Sequence, residues 1–192
     1  MEAQGSLTKD LSGKNLTMGL TNGVASGNVF VNGYKDANPK AIPRPTGPSF
    51  ADAGANLGVK SPSGGAQLEA TNIPKFGNQL TASANVNLLK HNDHKVDAHA
   101  FVTKNLREGP VPNYTSHGGG VKYSYKDTVG LGASRTSIPI AKMHENSVTG
   151  NVNLHQTPTS SLDLNVGARQ TTSPFGRGQW QQNGALTFRK QF

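Results

Sequence analysis

Five side chains of metal-binding type fall within nine residues: His91, Asp93, His94, Asp97 and His99. A zinc centre needs about four such ligands converging tetrahedrally on one point. The spacing works against that, because His91, Asp93 and His94 sit in a turn while Asp97 and His99 fall on the polar face of the strand that follows. Solvated turn residues are expected, and no metal site is assigned. His117 precedes Gly118, Gly119 and Gly120 in the manner of an anion-binding glycine loop, but no helix follows to bring a positive dipole end to a ligand. A flexible lead-in to a strand is expected instead. No serine, histidine and acid stand in a nucleophile arrangement, and the acidic residues are scattered. The chain is therefore read as no enzyme, with no catalytic residue and no cofactor. Asn15-Leu16-Thr17 and Asn113-Tyr114-Thr115 fit the glycosylation pattern, which so short a motif often does by chance.

The elements that must position these residues are strands. In Leu80, Ala82, Ala84, Val86 and Leu88 every second residue is apolar, while Thr81, Ser83, Asn85 and Asn87 between them are polar. That is the two-residue repeat of a half-buried strand. The alternation recurs over 96–102, 121–125, 129–133, 148–154, 162–168 and 186–188, and no window has a helical period. Strands of roughly nine residues are expected, long for a sheet in water. Short polar turns at 61–64, 91–94, 126–127 and 156–160 alternate with long loops at 72–78, 105–117, 137–146 and 171–180. An all-β, up-and-down antiparallel meander of about ten to twelve strands, closing into a barrel so that its edges are covered, is the simplest topology with that property. No substantial helix is expected.

Internal repetition points the same way. NVNLLKHNDHKVDAHAFV, beginning at Asn85, lies 66 residues before NVNLHQTPTSSLDLNVGA, beginning at Asn151, so the hairpin of 85–102 is repeated at 151–168. An offset of 65 lays TNIP, ending at Pro74, over TSIP, ending at Pro139. Residues 1–50 read as an N-terminal region with a weak hairpin near Leu16 and Phe30 and a proline-rich linker or plug at 38–50. Residues 51–192 read as a glycine-rich β domain.

Composition bounds the partners. With 33% hydrophobic residues, 23 glycines and 11 prolines among 192 residues, the core must be thin. The net charge of +8 draws the molecule toward polyanions such as nucleic acid or acidic lipid head groups. No cysteine is present to form a disulfide or act as a thiol catalyst. The N-terminus carries no apolar run of a secretory leader, and no stretch suits a membrane-spanning helix, which leaves a closed barrel as the one way to span a bilayer.

From Ile73 onward the motifs IPKFGNQLTASANVNLLKHNDHKVDAHAFVTKN, VPNYTSHGGGVKYSYKD and TPTSSLDLNVGARQTTSPF resemble the C-terminal half of the attacins. The resemblance covers about 73–192, and the N-terminal third fits in length and glycine content alone. It implies an inducible, glycine-rich antibacterial protein of insects that acts at the Gram-negative envelope, interfering with outer-membrane proteins and raising permeability. It also implies secretion into the haemolymph, although the start at Met1 without a leader leaves an intracellular, attacin-D-like form open.

The implied partner is bacterial lipopolysaccharide or the outer membrane. Lys95, Lys122, Lys126, Arg169 and Arg189 lie on or at the ends of polar faces and suit its phosphates, as lysine and arginine do; ordinary solubilising charge is the competing reading. Leu186, Phe188 and Phe192 fall on one face of the last strand, as in the strand by which outer-membrane barrels are recognised, so the assembly machinery is a second candidate partner. Lys190 on that face departs from the pattern. Two other classes compete. A soluble barrel carrying a small apolar ligand would point its apolar face inward, but Ala82, Ala84, Gly150 and Ala168 are too small to fill such an interior. The asparagine-rich polar face would suit a wet lumen. A nucleic-acid binder would interleave aromatic with basic residues, and the 6% of aromatic residues sit mostly on apolar faces, so no nucleic acid is expected.

Overall fold

The structure, a computed structural model, describes residues 1–9, 13–35, 49–126, 128–157 and 159–190. Most of the proline-rich stretch at 38–50, and Phe192, therefore lie outside the described residues. Among the described residues thirteen strands follow one another: β1 (Glu2–Lys9), β2 (Lys14–Thr21), β3 (Ala25–Tyr34), β4 (Asp52–Ser61), β5 (Gly64–Ile73), β6 (Gly77–His91) and β7 (His94–Arg107), then β8 (Tyr114–Tyr125), β9 (Val129–Ile138), β10 (Met143–Gln156), β11 (Ser160–Ser173), β12 (Gly176–Arg177) and β13 (Gln181–Lys190). Among the described residues the one helical piece is a single 3₁₀ turn at Pro139–Ala141.

Strand order along the sheet follows chain order, so the meander is as expected. The strand count resolves simply. One edge of β11 is taken by β10 along nearly its whole length, so β12 and β13 share the other edge and make one interrupted strand. Closure into a barrel is not found in these pairings: among the described residues β1 pairs with β2 alone, and its outer edge is open.

Contacts divide the chain into two compact units, Met1–Ser83 with Thr103–Tyr114, and Ala84–Val102 with Thr115–Phe192. In the first unit β1 to β5 pair antiparallel in sequence, from Leu7↔Leu16 to Leu57↔Leu68. In the second, β8 to β11 and β13 do the same, and the row Val129, Val152, Leu164, Leu186 runs straight across four strands.

Three expectations are corrected. The strands are longer, with 15 residues in β6 and 14 in each of β7, β10 and β11, because backbone pairing continues past the end of the apolar alternation. The loops shrink accordingly, leaving 74–76 between β5 and β6 and 139–142 between β9 and β10. Pro74 and Pro139 each stand directly after the last strand residue, where a missing N–H ends the ladder. Finally, Gly118 to Gly120 are no lead-in loop. They lie inside β8, paired with Thr136, Arg135 and Ser134 of β9, because neighbouring atoms leave no room for a side chain. A Cβ on Gly118 would stand 2.8 Å from the Phe101 ring, and one on Gly120 would stand 2.8 Å from the His99 ring.

Candidate functional site

The two faces of the sheet reverse the usual arrangement of a protein in water. Among the described residues no apolar side chain is buried, and the buried polar ones are Asn105, 2% exposed, and Gln170, 5% exposed. Large apolar side chains stand in the open: Leu57 is 66% exposed, Leu131 56% and Leu186 63%. The residues between them turn to the other face, where polar side chains join across strands. Asn32 Nδ2 donates to Asp52 Oδ1 at 2.7 Å, Gln79 Nε2 to Asn105 Oδ1 at 2.8 Å and Asn87 Nδ2 to Asp97 Oδ1 at 3.0 Å. The Thr81 and Thr103 hydroxyls meet at 2.9 Å, and those of Ser134 and Ser147 at 2.7 Å. Hydrogen bonding thus joins much of the polar face, and apolar surface is left to whatever the exposed face meets.

Hollows interrupt these faces. On the apolar side of β1 to β4, the small residues Ala3, Gly5, Gly27 and Ala55 alternate with Met18, Leu20, Val29 and Leu57 around a hollow of about 690 Å³. In the second unit a mixed hollow of about 510 Å³ lies beside Lys122, Thr149, Asn151, Asn165 and Asn183.

The five basic candidates do not converge. Lys95 Nζ lies 2.9 Å from Asp97 Oδ2, and Lys126 Nζ lies 3.6 Å from Asp93 Oδ2. Lys126 sits in the β8–β9 turn with φ of 52°, its backbone N–H donating to the Asp93 carbonyl at 2.8 Å. The Tyr125 hydroxyl, and secondarily Asp93, raise its ammonium above the ordinary lysine range. Arg169 Nε donates to Gln181 Oε1 at 3.0 Å. Lys122 pairs in register with Gly132 on β9, and Arg189 on β13 with Ser161 on β11. Lys122 and Arg169 stand three strand spacings apart, about 14 Å. Of the terminal-strand candidates, Leu186 faces Leu164 and Phe188 faces Leu162, and each of the two is 63% exposed.

The histidine and aspartate group is dispersed among other partners. His94 Nδ1 meets the Tyr123 hydroxyl at 2.8 Å, with its ring 4.9 Å from that of Tyr125, while Asp93 and Asp97 face lysines. Among the described residues no group of three or more His, Asp or Glu side chains could hold a metal ion. Both sequon asparagines are engaged: Asn15 Oδ1 accepts from the Gly33 N–H and Asn113 Oδ1 from the Arg107 N–H, each at 2.8 Å.

Sequence reasoning missed the glycine pattern of the polar face. A Cβ on Gly132 would stand 2.8 Å from Thr149 Oγ1, and one on Gly167 2.5 Å from Asn183 Oδ1, while Asn151 lies over Gly130 in the same way. Each such glycine gives a polar side chain on the next strand room to recline. The signal was available as glycine at alternate positions of β9, in Gly130 and Gly132.

Comparison with known proteins agrees with this architecture. Residues 74–192 match the family described as attacin, C-terminal region. Attacin-B of Hyalophora cecropia is 39% identical over 67% of this chain and 55% of its own length. Attacin-A of Trichoplusia ni is 35% identical over 74% of this chain and 57% of its own. The chain thus spans little more than half the length of these relatives. Among solved structures, an anion-selective porin from Comamonas acidovorans superposes with a TM-score of 0.61 over 94% of this chain and 60% of the porin, at 13% identity, a likeness of fold alone. On the family match and these relatives, the chain belongs to the attacins.

Proposed function

We propose that this chain is a secreted antibacterial effector of insect innate immunity, acting without catalysis on the Gram-negative outer membrane. Its action comprises contact with lipopolysaccharide, interference with outer-membrane proteins and increased permeability. The observation that carries the reading is the exposure of the large apolar side chains opposite a hydrogen-bonded polar face. In water that surface is unfavourable by about 25 cal/mol for each Å² left uncovered, and acyl chains would cover it. In this reading the meander closes into a barrel at the membrane, with its apolar face to lipid and a polar interior. The haemolymph is the compartment that secretion would supply.

Lys95, Lys122, Lys126, Arg169 and Arg189 would contribute to phosphate contact as a dispersed field, since they stand apart from one another. Leu186, Phe188 and Phe192 would present a look-alike terminal strand to the outer-membrane assembly machinery by strand addition. The deciding experiment measures dye release from vesicles carrying lipopolysaccharide, with circular dichroism before and after mixing. Release with retained β signal supports the proposal. Bacterial killing with neither vesicle binding nor release would sink it. A second reading, a carrier of a small apolar ligand, draws on the hollow of about 690 Å³ beside Met18 and Leu57, and it predicts binding of a fatty acid by the protein in free solution.

A further inference from the structure

The geometry points to a binding site for a small soluble oxyanion, such as phosphate, in the hollow of about 510 Å³ on the polar face of β8 to β13. One row across the sheet reads Lys122, Gly132, Thr149, Gly167, Asn183, and the next reads Gly130, Asn151, Asn165, Ala185. Glycines at 132 and 167 carry no side chain of their own, so that Thr149 and Asn183 recline over them. Lys122, Thr149, Asn151, Asn165 and Asn183 line the space, together with Val166, Ala185 and three glycines.

Among the described residues these five side chains form no side-chain hydrogen bond or ion pair, so their donors are uncommitted. The polar face otherwise pairs Asn with Asp, as at Asn87 and Asp97 and at Asn153 and Asp163. Here the lining holds one cation and three carboxamides and no carboxylate. Two carboxylates stand outside the lining and are already engaged: Asp97, within electrostatic reach of Lys122, is held by Lys95 at 2.9 Å, and Asp163, one row beyond Asn151 and Asn165, accepts from Asn153 at 2.7 Å. A cation with several N–H and O–H donors and no acceptor-only group recognises an oxyanion. The absence of an aromatic platform from the lining disfavours a sugar ring. A lipid phosphate is disfavoured by placement, because the hollow opens on the face opposite the apolar side chains against which its acyl chains would lie.

The test uses the whole chain in solution, titrated with inorganic phosphate and followed by the ¹⁵N resonances of the asparagine side chains and by calorimetry. Saturable binding, weakened about tenfold in Lys122→Met, is expected, since a charge-assisted hydrogen bond is lost. Gly167→Ala is a second variant. Its methyl meets the movable Oδ1 of Asn183 rather than backbone, so folding is retained while the carboxamide is displaced and phosphate weakens. Asp97→Asn should change affinity the other way and tighten it, by removing a repelling charge. Phosphate binding unchanged in Lys122→Met, or binding to anionic vesicles with none to inorganic phosphate, would overturn the assignment. Membrane permeabilisation is read separately, so either result stands apart from the proposed function.

Discussion

Asn153 on β10 donates from Nδ2 to Oδ1 of Asp163 on β11 at 2.7 Å, and the two stand directly opposite in register. The duplicated hairpin repeats the relationship at an offset of 66 residues, where Asn87 donates to Asp97 at 3.0 Å. The copies differ in support. Asp97 also has Lys95 at 2.9 Å, whereas the other oxygen of Asp163 has the Ser161 hydroxyl at 3.3 Å. Removing the donor should therefore hurt the second copy more. Asn153→Ala is expected to cost about 1–2 kcal/mol in urea unfolding, and Asn87→Ala less than about 1 kcal/mol. Equal losses would show that Lys95 gives Asp97 no useful support.

Glycine positions separate into those that a methyl breaks and those it does not. On Gly118 a Cβ would stand 2.5 Å from the Arg135 carbonyl oxygen and 2.8 Å from the Phe101 ring, so backbone must move. On Gly184 the nearest atoms are 3.7 Å away, an ordinary contact. Gly118→Ala is expected to cost about 1–3 kcal/mol by overpacking. Gly184→Ala should be neutral or stabilising by up to about 1 kcal/mol, through the lower entropy of the unfolded chain. Thermal unfolding of the two variants side by side checks the contrast.

What the sequence made legible was local. The alternation from Leu80 to Leu88 placed β6, and the repeated NVNL motif placed two hairpins that share an Asn–Asp hydrogen bond. β1 escaped notice because Ala3, Gly5 and Leu7 make a faint apolar stripe, and pairing with β2 rather than apolar burial holds it. Alternation marks two faces without saying which is covered, so the exposure of Leu131 and Leu186 could not be read from it. The hollow beside Lys122 was illegible for a further reason: Lys122, Thr149 and Asn183 share a row through cross-strand register, which separation along the chain does not reveal.

Charge should govern first contact with lipopolysaccharide. With a net charge of +8, binding is expected to weaken from low to physiological salt, as the Debye length falls to about 8 Å at 0.15 M. The five basic residues should contribute unequally. Lys95 and Lys126 already face Asp97 and Asp93, whereas Lys122 and Arg189 have no ion pair among the described residues. Neutralising Arg189 should reduce the association rate more than neutralising Lys95, as read by surface plasmon resonance on immobilised lipopolysaccharide. Binding indifferent to salt would mean that apolar contact comes first.

The apolar face and the terminal strand make separable predictions. Leu131 on β9 and Leu186 on β13 occupy the same face and are 56% and 63% exposed, so replacing either by serine should change stability in water by no more than about 0.5 kcal/mol. If lipid contact alone matters, Leu131→Ser and Leu186→Ser should reduce dye release from protein-free lipopolysaccharide vesicles to a similar extent, and killing should fall in parallel. The terminal strand differs if assembly machinery reads it. Then Phe188→Ser, or removal of Phe192, should reduce killing of bacteria by more than its loss of vesicle release accounts for, with circular dichroism nearly intact. Phe188 faces Leu162 in register, and such a cross-strand pair contributes only about 0.2–1 kcal/mol, too little for unfolding to explain a large loss. Killing that tracks vesicle release in all four variants would leave no role for strand mimicry and would put the whole effect on the lipid-facing surface.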